Sequence, residues 1–224
     1  MLIDDVSAIL TPLGFCLRGS FTPQPGDAVP ALPDGTPAGT VLMIGNAGPA
    51  MWQQFCNARR AGRSPLDTWT REALTPIAEE IGAGIVFPFQ RPFLPFQQWA
   101  TRAEPCHSSP LGILIHPRFG LWHALRGALL LADKVGPAGV PRTASPCDGC
   151  ADKPCLSACP NHAFSTQGYD TDLCLSRLDQ AEGIDCIALG CRARRACPIG
   201  RSYQYAPAQA RFHMDAFRRT LRGS

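Results

Sequence analysis

The apolar positions along the chain fall into runs of two periods. Leu2, Val6, Ile9 and Leu10 recur at helical spacing and stop at Pro12 and Gly14, which predicts a short N-terminal helix. Phe15 to Phe21 reads as a strand. Five prolines between residues 22 and 39 then break any regular pattern, so this stretch is expected to be an irregular connector or a flap. Val41 to Ile44 is a continuous apolar run ending at Gly45, the pattern of a buried strand. The GNAGP turn follows. A helix is expected from about residue 50 to 61, with Trp52, Phe55 and Cys56 on one side. A second, from about 66 to 81, is carried by Trp69, Ala73, Leu74, Ile77 and Ile81, with Pro76 placed to kink it. Ile85 to Phe89 and Leu111 to Ile115 read as two further strands. Leu121 to Val135 reads as the clearest helix, with Leu121, Leu125, Leu129 and Ala132 on one stripe. This order of elements predicts an α/β fold, an α+β sandwich around a mixed sheet.

The pattern changes at residues 136–146, which are rich in Gly, Pro, Ser and Thr and read as a domain boundary. The expected division is an α/β domain over 1–144, a small cysteine-bearing domain over 145–204, and a terminal segment, 205–224. Within that last segment Ala208 to Arg222 forms a helix that packs back on the body. The chain has 11 cysteines, and eight of them lie between Cys147 and Cys197. That asymmetry predicts an inorganic cofactor in the C-terminal part.

Charge and targeting narrow the classes. The formal charge is +3 without a dense basic face, so no nucleic acid partner is expected. No stretch reaches the roughly 18 apolar residues of a membrane span. The N-terminus lacks the basic and apolar regions of a secretion signal. A cytoplasmic location follows as the expectation, and in that compartment clustered cysteines point to metal or redox chemistry before disulfides. No G-x-S-x-G elbow or H-E-x-x-H pair supports a hydrolase.

The first cysteine run, Cys147, Cys150, Cys155, Cys159 and then Pro160, is C-x2-C-x4-C-x3-C-P. It differs from the common iron–sulfur run by two residues inserted before the third cysteine. The second set, Cys174, Cys186, Cys191, Cys197 and Pro198, is more loosely spaced. In two-cluster ferredoxins the last cysteine of each run ligates the other cluster. Two Cys-Pro ends in one short segment therefore predict a crossed assignment. One [4Fe–4S] cluster takes Cys147, Cys150, Cys155 and Cys197; the second takes Cys159, Cys174, Cys186 and Cys191. Structural zinc on four thiolates is the alternative. Cys174 or Cys186 could instead be a plain buried thiol, as Cys16, Cys56 and Cys106 are expected to be. Lys153, Arg192, Arg194 and Arg195 would either raise the cluster potentials and guide an acidic redox partner such as a flavodoxin or a reductase, or form an ordinary wetted surface.

The first run together with NHAFSTQGYD resembles the cluster segments of small bacterial ferredoxin-like iron–sulfur proteins. Upstream, HPRFGLWHALRGALLLAD, His116 to Asp133, looks like the HP-x-x-G-x-W-x-x-x-R stretch of the cobalamin-processing type C protein. That protein belongs to a corrinoid reductase group with epoxyqueuosine reductase and the reductive dehalogenases. What the resemblance implies is a nitroreductase-like fold holding cobalamin, reduced by a C-terminal ferredoxin-like two-cluster subdomain. His116 would then donate to a corrinoid amide or move a proton, Trp122 would stack on the macrocycle, and Arg126, four residues on, would bind an anionic group. Each has a plainer reading: a turn histidine satisfied by backbone, a core tryptophan, and an arginine in an ion pair. The GNAGP turn is a weak phosphate-cradle candidate. Gln90, Arg91, Gln97 and Gln98, among Phe93, Phe96 and Trp99, would line a cofactor rim or form a surface loop.

The functional expectation is an iron–sulfur redox protein, with two [4Fe–4S] clusters serving one-electron transfer to an acceptor on the α/β domain and a redox protein as donor or acceptor. The alternatives are a corrinoid-dependent reductase or cobalamin-processing protein, and a structural role in which clusters or zinc only staple a partner-binding subdomain.

Overall fold

In the computed structural model, residues 3–136, 139–141, 143–165 and 168–223 are described. Leu2, part of the 136–146 boundary segment and two positions of NHAFSTQGYD lie outside them. The elements in chain order are α1 (Ile3–Leu10), β1 (Cys16–Phe21), β2 (Thr40–Ala47), α2 (Ala50–Ala58), α3 (Pro65–Glu80), β3 (Gly84–Val86), α4 (Phe96–Ala103), β4 (His107–Ser108), β5 (Leu114–Ile115), β6 (His123–Leu131), α5 (Pro154–Ser157), β7 (Phe164–Ser165), β8 (Gly168–Tyr169), α6 (Thr171–Leu178), α7 (Ile184–Leu189), α8 (Arg192–Ala196) and α9 (Pro207–Arg222). Short 3-10 turns intervene at 11–13, 181–183 and 201–203. The class is mixed α and β with small antiparallel sheets.

The chain forms two compact units, and they are interleaved. The first comprises residues up to Pro105 together with His123–Thr143; the second comprises Cys106–Trp122 and the chain from Ala144 onward. A contiguous division at 144 therefore misplaces residues 106–122, which belong with the cysteines.

The first unit is built on a four-stranded sheet in the order β1-β2-β6-β3. Every pairing in it is antiparallel, so the expected mixed sheet is corrected. The sheet is covered on both faces, which is why its central strands read as continuous apolar runs. On one face Val41 and Met43 of β2 join Phe96, Trp99 and Ala103 of α4. On the other face Phe15 stacks on Trp69 at 5.1 Å and Phe55 meets the same indole edge-on at 5.8 Å. The connector 22–39 is tied down. Trp99 Nε1 donates to the Asp27 carbonyl at 2.8 Å, and Arg102 pairs with the Asp27 carboxylate.

The largest departure from the sequence pattern is at 121–135. His123–Leu131 is a strand, not a helix. It pairs on one side with β2 and on the other with β3, and Arg126 to Leu130 are buried. A leucine- and alanine-rich run of this length satisfies a helical stripe and a doubly covered strand equally well, and its pairing partners decide. A register shift between Ile44 and Gly45 of β2 falls opposite Arg126, making that residue the extra position of a bulge in β6.

The second unit has little regular structure: two two-stranded ribbons, β4-β5 and β7-β8, and five helices. Its core joins Leu111, Ile115 and Leu121 to Phe164, Ala193 and Cys197. Helix α9 lies against α6 and α7. Asp170 caps α6 by accepting the N–H groups of Asp172 and Leu173.

Candidate metal centres

All eight C-terminal cysteines are free thiols of the second unit, and they gather as two foursomes. Cys147, Cys150, Cys155 and Cys197 line one small cavity, walled by Pro110, Ile115, Pro146 and Pro198. Cys159, Cys174, Cys186 and Cys191 line another, with Pro160, Phe164, Leu178 and Met214. Two short helices produce the crossing. α5 carries Cys155 of the first foursome and leads to Cys159 of the second. α8 starts at Cys191 of the second and ends at Cys197 of the first. The two helices pack on each other, and the last cysteine of each run lines the cavity of the other run.

Electrostatics divides the thiols in the same way. Burial pushes the Cys147 and Cys155 thiols up, and the neighbours that add to the shift are Cys197, Cys150 and, for Cys155, Cys147. Burial likewise raises Cys174, Cys186 and Cys191, with added repulsion from Cys159, Cys186, Cys191 and Cys174 in turn. Thiols raised by burial in this way are poor acids unless a metal takes the place of their protons. Among the described residues no three His, Cys, Asp or Glu side chains close around a single ion. Zinc needs its sulfurs at about 2.3 Å. Four cysteine thiols around one hollow are the donor set that a [4Fe–4S] cluster takes, and equally that of a four-thiolate zinc site.

Hydrogen bonds reach three of the sulfurs of the second foursome. The Arg192 N–H donates to Cys186, and the Ala193 and Arg194 N–H groups donate to Cys191. The Tyr169 hydroxyl bonds Cys174, and burial together with the neighbouring thiols drives the phenol pKa strongly upward. Asp185 is drawn in beside them. Burial opposes its ionisation, but Arg192 Nε at 2.6 Å and Arg195 Nη2 at 2.9 Å outweigh that and lower its pKa. Arg195 Nε also donates to the Gly190 carbonyl. The arginine cluster is thus largely committed to internal bonds. At the first foursome the Ser145 hydroxyl bonds Cys147, and Lys153 stands in the wall.

The HPRFGLW segment is part of this scaffold. His116 Nδ1 accepts the N–H groups of Arg118 and Phe119 at 3.0 and 3.3 Å, and its ring stacks on Phe119 at 4.4 Å. Arg118 Nε donates to the Tyr203 hydroxyl at 2.7 Å. Gly120 and Gly200 face each other across a gap that admits no side chain. Both have positive φ, and a Cβ on Gly120 would lie 2.0 Å from the Ile199 carbonyl oxygen. A Cβ on Gly200 would lie 2.3 Å from Phe119. This glycine pair seats the turn after His116 directly on the Cys197-Pro-Ile-Gly turn of the first foursome. Arg194 Nε then donates to the Leu121 carbonyl, and its guanidinium lies 4.4 Å over Trp122 and 4.7 Å over Tyr205.

Those are the surroundings of His116, the first of the three residues expected to bind a cofactor. Trp122 is 2% exposed, beside Arg194 and with Tyr205 edge-on at 5.4 Å. Arg126 belongs to the first unit and is buried in the sheet, where its Nε donates to Asn46 Oδ1 at 2.7 Å. The expected helical i,i+4 pair of Trp122 and Arg126 is corrected, because Arg126 is in a strand. Asn46 of the GNAGP turn is likewise engaged by Arg126. Arg91 lies 4.5 Å over Phe93 in an exposed loop.

Two groups at the second foursome, Tyr169 and Arg177, were not singled out from the sequence, although Tyr169 lies in the NHAFSTQGYD stretch. Arg177 follows Cys174 by one helical turn, the one spacing that would have placed it beside the thiols.

No protein-family model matches the chain, and no curated protein matches it. Solved structures do. The chain is similar to a selenomethionine-labelled epoxyqueuosine reductase at 15% identity and a TM-score of 0.47, over 77% of this chain and 52% of that one. It is similar to epoxyqueuosine reductase from Bacillus subtilis at 17% and 0.48, over 75% and 50%. A third, epoxyqueuosine reductase with a tRNA-Tyr epoxyqueuosine-modified stem loop, matches at 14% and 0.49, over 91% and 67%. The chain spans about half the length of the first two. That third structure holds RNA, so the expectation of no nucleic acid partner gains nothing from the comparison. No residue role is carried over from these proteins. Among the described residues no helix is long and apolar enough to cross a membrane.

Proposed function

We propose that the chain is an iron–sulfur redox protein. Cys147, Cys150, Cys155 and Cys197 hold one [4Fe–4S] cluster, and Cys159, Cys174, Cys186 and Cys191 hold a second. The observation that carries this is the sorting of eight thiols into two foursomes around two cavities. When bound, such clusters supply one-electron transfer at potentials set by burial and by hydrogen bonds to sulfur. The rest is the work of this chain's own residues. Burial among proline, isoleucine, phenylalanine and methionine side chains keeps water off the sulfurs. The N–H groups at the start of α8 and the Tyr169 hydroxyl hold charge on them. The His116–Trp122 segment braces the Cys197 turn.

A redox protein serves as donor or acceptor. Leu173, Ile184 and Leu189 are exposed beside Cys174 and Cys186 in the sequence, and Ile184 is 71% exposed. Exposed apolar groups next to the ligands suit a transient partner surface. The test is anaerobic reduction of the reconstituted full-length chain. Reversible bleaching of its visible absorption by dithionite and by a reduced flavodoxin or ferredoxin supports the reading. A spectrum that no donor changes contradicts it.

A further inference from the structure

We propose that the two four-thiol sites are built for different reduction potentials, and that Arg177 and Tyr169 hold the Cys159–Cys174–Cys186–Cys191 site at the more positive one. This rests on reading both foursomes as [4Fe–4S] sites.

The argument starts from an unmatched donor. Arg177 lines the cavity of the second foursome, and its Nε is buried with no hydrogen-bond partner in the protein. Buried polar groups in folded proteins are almost always bonded, so an orphaned N–H on a cationic side chain marks an acceptor that belongs beside it. The lining of that cavity contains no carboxylate; its electron-rich atoms are four sulfurs. A sulfide-bearing cluster on those thiolates supplies the missing acceptor.

A second donor is fixed independently. The Tyr169 hydroxyl bonds Cys174. Its ring is held parallel to Phe164 at 4.5 Å and 11°, and it also stacks on Phe217 at 6.3 Å. The hydroxyl is thereby aimed at sulfur by packing on both sides. Three backbone N–H groups at the start of α8 add to it, as does the Arg192 guanidinium in the same wall. The lining of the Cys147–Cys150–Cys155–Cys197 cavity contains no arginine or tyrosine; the groups beside its sulfurs include the Ser145 hydroxyl, the Cys155 N–H and Lys153. Reduction adds an electron to a core that is already anionic, so donors and cations close to it favour the reduced state. The imbalance therefore makes the second foursome the easier to reduce.

The experiment is an anaerobic dithionite titration of the full-length reconstituted chain, followed by electron paramagnetic resonance with iron and sulfide analysis of each sample. The transition that changes in Cys174→Ala identifies the second site. In the unsubstituted chain that transition lies at the more positive potential. Arg177→Gln and Tyr169→Phe each move it downward by about tenfold in reduced-to-oxidised ratio at a fixed poise, which is about 59 mV for one electron. Neither change moves the other transition or alters the iron content. Arg177→Lys, which keeps the charge, retains more of the potential than Arg177→Gln. The proposal is overturned if both potentials stay put in variants with full iron, if the Cys147-site transition moves instead, or if the order of the two sites is reversed. An unsubstituted chain that binds no iron and sulfide fails the cluster reading itself, and the tuning proposal falls with it.

Discussion

Removing the carboxylate of Glu104 strands a fully buried charge in the first unit. The Arg18 side chain has no exposed surface and forms a forked pair with Glu104, Nε to Oε2 at 2.8 Å and Nη2 to Oε1 at 2.7 Å. It also reaches the Asn46 carbonyl at 3.4 Å and His123 Nδ1 at 3.1 Å. Since a guanidinium only donates, that ring nitrogen is the acceptor. The pair joins β1 to the end of α4, with β2 and β6 alongside, so breaking it touches the whole sheet. Deleting one partner of a buried pair costs about 3–5 kcal/mol, because the other charge stays desolvated. At about 2–4 °C per kcal/mol for a chain of this size, Glu104→Ala should lower the midpoint of thermal unfolding by about 10 °C. Tryptophan fluorescence is the assay. Trp52, Trp69 and Trp99 lie in the first unit and only Trp122 in the second, so the signal follows the unit that carries the pair. The double substitution Arg18→Met with Glu104→Leu should recover most of the loss, since it removes both charges at similar volume. A loss below about 1 kcal/mol for Glu104→Ala, the range of an exposed ion pair, would refute the reasoning.

Further predictions follow from the second unit and from α3. Gly120→Ala or Gly200→Ala should cost the chain the iron held near Cys197 while sparing the second foursome, because each Cβ meets backbone at 2.0–2.3 Å; iron analysis with a spectrum of the remaining centre checks this. Cys197→Ala should perturb the same centre as Cys147→Ala, and Cys159→Ala the same centre as Cys174→Ala; a pairing that follows sequence order, with Cys159 grouping with Cys147, would contradict the crossing. Burial pushes the Asp67 carboxyl above its ordinary value against the pull of Arg126 and Arg71. The folded state therefore keeps a proton that the unfolded chain gives up, and stability falls as pH rises from about 4 through the raised value. Asp67→Asn should flatten that slope in urea unfolding measured across the range; an unchanged slope assigns it to other groups.

The candidate site was more legible than the fold that carries it. Two Cys-Pro ends announce a crossing, since each closes a run whose last thiol sits apart from the others, and α5 and α8 deliver that separation. Cys174 and Cys186, whose loose spacing left them open as plain thiols, both line the second cavity. β6 was misread because HALRGALLL meets a helical stripe and a doubly buried strand equally well, and only its pairing with β2 and β3 decides. The HPRFGLW stretch was visible as a motif, but its packing against the Cys197 turn was not. Its glycine exists to meet Gly200, a partner eighty residues away that no local pattern reveals. For the same reason residues 106–122 looked like part of the first domain. Arg177 stands one helical turn after Cys174, a spacing that signals only once α6 is known to be a helix, and Tyr169 meets sulfur only once the β7-β8 ribbon is folded.

The most direct measurement is iron and acid-labile sulfide per chain, with zinc determined on the same sample, after anaerobic reconstitution of the full-length protein. Two four-thiol sites predict about eight iron and about eight sulfide. Four of each would leave one foursome without a cluster, and zinc in place of iron would contradict the account outright.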